Sequence, residues 1–158
     1  MWAFEDIPFG RSVEVGSVTI TAEEIIAFGR EFDPQPFHVD EEAAAASHFG
    51  GLVASAWQTA ALFMRALVAR AERLAEEIRA AGGEPGHLGP SPGFEDMRLP
   101  RPVRPGDTLH FTVTPLDGRP LATRPGWAVA HFDNVVTNQR GEVVMTFRSA
   151  VFVTCRAN

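Results

Sequence analysis

The feature that most constrains this chain is a long helical pattern running from about Val53 to Ala81. Ala56, Ala60, Phe63, Leu67, Leu74 and Ile78 recur at steps of three, four or seven, which puts them on one face. The first half, Ala54 to Ala71, contains no acidic residue and is apolar nearly all round. Such a helix predicts burial, with other structure wrapped about it. The second half, with Arg70, Glu72, Arg73, Glu76, Glu77 and Arg79, is amphipathic and is expected to reach solvent.

The flanks say what does the wrapping. Residues 12–20 partly alternate and read as a strand or hairpin. Thr21 and Glu24 form a capping-box pattern, predicting a helix to about Glu31 that buries Ile25, Phe28 and Phe32. Pro34 and Pro36 end it, and Asp40 is placed to cap a second short helix over Ala43–Ala46. Gly50-Gly51 then separates that helix from the long one. Residues 82–93 are rich in glycine and proline and read as a loop. Three strand patterns follow, at about 107–116, 127–137 and 142–155. The expected class is therefore α+β, with an antiparallel sheet packed on one long helix. No repeat or linker divides the 158 residues, so a single domain spanning 1–158 is expected. Long antiparallel strands leave open edges, and pairing two sheets edge to edge predicts a homodimer.

Charge and cysteine content narrow the class. The formal net charge is -6, against nonspecific nucleic-acid binding. The one cysteine, Cys155, forms no internal disulfide and sits in an apolar run, consistent with a reducing compartment. There is no apolar run long enough for a membrane span and no basic, apolar leader at the start, so a cytoplasmic location is expected. The other histidines (His48, His87, His110, His131) have no metal-ligand spacing, so no metal and no resident cofactor are expected.

The densest chemical signal is Phe32-Asp33-Pro34-Gln35-Pro36-Phe37-His38-Val39-Asp40. Two prolines stiffen a segment that carries two carboxylates, an amide and an imidazole. Asp33 falls at the negative end of the first helix dipole, which predicts a raised basicity, with burial adding to it. His38 donates or accepts a proton near neutrality. A turn aspartate and a packed histidine account equally for these residue types. Arg98, Arg101 and Arg104 lie within seven residues free of acids. They read either as ligands for phosphate or as the charges of a solvated edge strand.

The stretch Phe28 to Met64 resembles the MaoC-like dehydratases, the family of the R-specific enoyl-CoA hydratases. Its carriers are Asp33-Pro34-Gln35-Pro36-Phe37-His38-Val39-Asp40 and the small-residue turn Phe49-Gly50-Gly51-Leu52-Val53-Ala54-Ser55-Ala56-Trp57-Gln58-Thr59. Pro102-Val103-Arg104-Pro105-Gly106-Asp107-Thr108-Leu109 and Asn138-Gln139-Arg140-Gly141-Glu142 resemble later segments of the same family. The resemblance implies a hot-dog fold, an antiparallel sheet around one helix, usually dimeric. It implies a lyase acting on an enoyl thioester of coenzyme A or a related carrier. By position, Asp33 is the general base and His38 its partner. The amide of Ala56 meets charge on the thioester oxygen, and Gln35, Ser55 and Gln58 support the site. The arginines 98, 101 and 104 are then candidates for coenzyme A phosphates. Many members have glycine in place of Ala56, and a subfamily has histidine in place of Gln58. A hot-dog thioesterase commonly needs a carboxylate on the central helix, which Ala54 to Ala71 lacks. A non-catalytic acyl-thioester binder is the other alternative.

Overall fold

The computed structural model describes residues 1–156. After one 3₁₀ turn at Phe4–Asp6 come β1 (Val13–Thr19), α1 (Ala22–Phe32), α2 (Pro36–Val39), α3 (Glu41–Ala46) and α4 (Ala56–Ala80). Then follow β2 (Gly93–Arg98), β3 (Thr108–Pro120), β4 (Trp127–Thr137) and β5 (Val143–Thr154). The strands form one sheet in the order β1-β3-β4-β5-β2, every pair antiparallel. Consecutive strands β3, β4 and β5 are neighbours, as short turns require.

Alternation along β3 aims Leu109, Phe111, Val113 and Pro115 at one buried face. Helix α4 lies on that face. The Phe63 ring meets Phe111 and Phe147 edge-on, with centroids 5.9 and 5.1 Å away. Burying a phenylalanine this completely stabilises by about 2–3 kcal/mol. Strand β1 reaches α4 through a bulge between Glu14 and Gly16. Gly16 has φ 149°, and a Cβ there would sit 3.6 Å from that of Ala66. A residue with a larger side chain is disfavoured there by backbone and helix together.

Helix α1 begins with the full capping box. Glu24 N–H donates to Thr21 Oγ1 at 3.2 Å, and Thr21 N–H donates to Glu24 Oε2 at 2.9 Å. Asp40 caps α3 by accepting from the Ala43 amide at 2.8 Å.

Three expectations change. Phe32 is 63% exposed, because α1 presents Ile25 and Gly29 to the core while its last turn runs out past it. The loop after α4 ends in a strand: β2 opens at Gly93 and pairs with β5, its irregular register hiding any alternation. The first half of α4 is not covered all round. One sheet curls over only one side of the helix, so Trp57 (59%), Met64 and Val68 stand exposed on another.

Candidate active site

Asp33 closes α1, its amide donating to the Gly29 carbonyl at 2.9 Å. Pro34 blocks continuation, Gln35 starts α2 and Pro36 occupies its first position, where a missing N–H costs nothing. The single turn of α2, not anticipated from the periodicity, carries His38 into the interior. His38 Nδ1 donates to the Val53 carbonyl at 2.7 Å. A carbonyl only accepts, so Nδ1 carries a proton in either state of the ring, and Nε2 accepts when the ring is neutral and donates when it is protonated. Nε2 lies 3.3 Å from Asp33 Oδ2, with 7% and 19% of the two side chains exposed.

Ser55 ties this pair to the long helix. Its Oγ accepts from the Trp57 amide at 3.2 Å, capping α4, and donates to Asp33 Oδ2 at 2.7 Å. Gln35 Nε2 donates to the other oxygen, Asp33 Oδ1, at 2.8 Å. These bonds correct the expected basicity of Asp33. The Ser55 hydroxyl, foremost, holds the carboxyl below its ordinary range; burial opposes this, and Gln35 and His38 add to the lowering. The carboxylate also faces the positive N-terminal end of α4 through its bond to the capping Ser55.

Ala56 is the first residue of α4, so its amide has no intrahelical acceptor. Its backbone is helical; among the described residues Asp96 alone combines a side chain with positive φ. Alanine is therefore unstrained at this position. Gln58 is turned away from the pair. Its Nε2 donates to the Glu24 carbonyl at 2.9 Å, pinning α1 to α4, and its Oε1 is buried without a partner among the described residues.

The three arginines diverge. Arg104 Nη2 donates to the Phe49 carbonyl at 2.6 Å, bracing the turn before α4. Arg101 Nη1 lies 3.6 Å from Glu142 Oε1. Arg98 ends β2 and is exposed. The Ala54 amide donates to the Val103 carbonyl at 2.9 Å, so this segment runs beside the start of α4.

Two contributors carried no recognisable motif. The Val53 carbonyl sets the His38 tautomer through backbone alone. Gly29 allows α1 and α2 to touch: a Cβ there would lie 2.9 Å from the His38 carbonyl oxygen and 2.9 Å from Val39 Cγ1. A glycine inside a helical pattern is the one signal that could have found it. Among the described residues no three His, Cys, Asp or Glu side chains converge as metal ligands, and no helix is long and apolar enough to cross a membrane.

Comparison with known proteins agrees with this architecture. Residues 6–130 match the model of the MaoC-like domain. An uncharacterised Bacillus subtilis protein, YdeM, is 32% identical over 77% of this chain and 79% of its own. The crystal structure of a MaoC-like dehydratase from Rhodospirillum rubrum is 38% identical, with TM-score 0.82 over 100% of both chains. An (R)-hydratase of A. caviae involved in PHA biosynthesis shares the fold, with TM-score 0.65 and 20% identity over 96% of this chain and 99% of that one. A five-stranded antiparallel sheet around one long helix, a domain-model match over most of the chain and these relatives agree: the chain has the hot-dog fold and belongs to the MaoC-like domain family.

Proposed function

We propose that this protein adds water reversibly to a trans-2-enoyl thioester, with coenzyme A as carrier, giving the 3-hydroxyacyl thioester. The observation that carries this is the acid/base pair, Asp33 Oδ2 and His38 Nε2, 3.3 Å apart beside the N-terminal end of α4. In the neutral form of the ring both atoms accept. One water supplies both of its protons, one to each, and keeps its lone pairs for attack.

Asp33 takes one proton as the hydroxyl oxygen bonds to the β-carbon. The double-bond electrons move to the thioester oxygen, where the Ala56 amide meets the new charge. The proton is then returned to the α-carbon, and the carbonyl re-forms. Ser55 and Gln35 hold both carboxylate oxygens in place. Their bonds keep Asp33 ionised throughout the neutral range, so the base is always in its active form. His38 orients the water through a ring whose tautomer Val53 dictates.

Arg98 and Arg101 are the side chains proposed to meet the carrier phosphates, with Arg104 shaping the segment that presents them. The exposed Phe32, Trp57, Met64 and Val68 are proposed to be covered by a second copy, making the working form a homodimer in a reducing, cytoplasmic compartment.

The test is hydration of a panel of enoyl-CoA chain lengths by wild type and Asp33→Asn. The variant keeps shape and hydrogen-bonding reach but lacks the base. Its kcat is expected to fall about a hundredfold to ten-thousandfold while thermal unfolding shows an intact fold. Near wild-type turnover would leave an acyl-thioester binder as the better account.

A further inference from the structure

Between α4 and the buried face of the sheet lies a cavity of about 410 Å³, within the roughly 300–1,000 Å³ of small-molecule sites. Phe63, Leu67 and Leu74 of α4 line one side, and Val113, Phe147 and Val151 line the other. Such walls suit a hydrocarbon chain. Four polar side chains also line the cavity: Arg70, which pairs with Glu77, Ser91, which donates to the Ala150 carbonyl, and the neighbours Asn134 and Ser149.

Asn134 is 2% exposed. Its Nδ2 donates to the Ser149 Oγ at 2.9 Å, the Phe147 carbonyl at 3.2 Å and the Phe132 carbonyl at 3.3 Å. Those acceptors occupy both N–H bonds of the carboxamide. They also fix its orientation, because a flipped amide would aim an oxygen at two carbonyls. Asn134 Oδ1 accepts nothing, and the Ser149 proton is given to nothing, among the described residues. An unanswered acceptor and an unanswered donor therefore sit side by side in an apolar wall. Neither atom is sealed from solvent, so an apolar chain that fills the cavity strips both of solvent without replacing its hydrogen bonds.

The complement of one acceptor beside one donor is a hydroxyl group, which donates to Asn134 Oδ1 and accepts from Ser149 Oγ–H. A saturated chain answers neither, and a ketone answers Ser149 alone. We infer that this cavity is a binding site selective for an apolar chain bearing a hydroxyl group, read by Asn134 and Ser149. Phe63 lies seven residues beyond Ala56, on the order of 10 Å along α4. The Phe63 ring meets that of Phe147, whose carbonyl accepts from Asn134, so the hydroxyl would sit farther along α4 than the acid/base pair and be distinct from the one that hydration creates. As a statement about the acyl substrate this rests on the hydratase reading; as a statement about the cavity it does not.

The experiment is calorimetric titration of the protein with a saturated ten-carbon fatty acid and with its monohydroxylated isomers along the chain. Wild type, Ser149→Ala and Asn134→Leu are compared, with thermal unfolding of each preparation. Ser149→Ala removes only one hydroxyl group, so it serves as the variant that keeps its fold. One hydroxylated isomer is expected to bind at least about fivefold more tightly than the plain acid. Ser149→Ala should abolish that preference, and Asn134→Leu should hold the plain acid as well or better. Equal binding of all acids by wild type, no binding of any, or a preference that survives Ser149→Ala overturns the inference. Turnover of the matching enoyl-CoA chains separates the two readings. No turnover with the binding preference intact defeats hydration alone; turnover with no preference defeats the cavity assignment alone.

Discussion

Ser55→Ala removes two bonds with one methyl-sized change. The first is the cap of α4, where Ser55 accepts from the Trp57 amide; losing such a cap costs about 1 kcal/mol. The second is the 2.7 Å bond to Asp33 Oδ2. A bond to a charged acceptor contributes about 1.5–3 kcal/mol. Asp33 keeps 19% side-chain exposure, so water replaces part of it and the lower end applies. The expected loss near neutral pH is about 2–3 kcal/mol, or a Tm lower by about 4–12 °C. The pH dependence separates the two contributions. The carboxyl of Asp33 is held below its ordinary value of 3.8, so its stabilisation is present above that value and lost as pH falls through the folded-state value. Removing Ser55 moves the folded-state value back up. The gap between wild type and variant is therefore full at pH 7 and shrinks toward the capping contribution at a pH below 3.8, as the wild-type carboxyl titrates. Urea midpoints with unchanged slopes at the two pH values measure this. The acid limb of kcat/KM should move to higher pH in the same variant. A gap below about 0.5 kcal/mol at pH 7, or one equal at both pH values, would refute the coupling of cap and carboxylate.

Gly29→Ala forces a Cβ onto the His38 carbonyl, which is backbone and has little room to yield; a stability loss of about 1–3 kcal/mol, read by denaturant unfolding, should accompany a lower kcat. Combined replacement of Arg98, Arg101 and Arg104 by alanine should raise KM for the coenzyme A thioester and weaken its salt dependence while kcat changes less, since phosphate contacts are shared by ground and transition states. An unchanged KM would assign them to the solvated edge. Sedimentation at micromolar concentration should show a dimer, and Trp57→Glu should shift it toward monomer. A monomeric wild type would remove the proposal.

The parts of this molecule that announce themselves in sequence are those whose determinants are local. The Thr21–Glu24 box, the Asp40 cap and the alternation of β3 depend on near neighbours, and each lies where those neighbours place it. What was misread depends on distant ones. β2 gains its pairing from β5, about fifty residues later, across an irregular register, and Phe32 has a helical periodicity that its end position overrides. The candidate site follows the same rule. Asp33 and His38 stand out because acid, base and proline crowd one short stretch. Yet the sequence predicts a raised basicity for Asp33 where the structure holds its carboxyl lowered: the chain shows the helix that ends at Asp33 but not the Ser55 hydroxyl and second helix that converge on it. Gln58, which only the family resemblance names as supporting the site, donates to the Glu24 carbonyl.

The crossing of Ser55 over Asp33 also bears on how the protein is made. Asp33, Gln35, His38, Val53, Ser55 and Ala56 all fall within one stretch of chain ahead of β2 to β5. The loop that Ser55 and Asp33 close spans 22 residues. Loop-closure entropy grows only slowly with length, and loops of this size close fast compared with sheet assembly. The cap of α4 and the setting of the carboxylate share the one Ser55 hydroxyl, which couples the start of the longest helix to the geometry of the acid/base pair. On a ribosome this stretch emerges before the four strands β2 to β5, and it can rehearse its arrangement while they are still being synthesised.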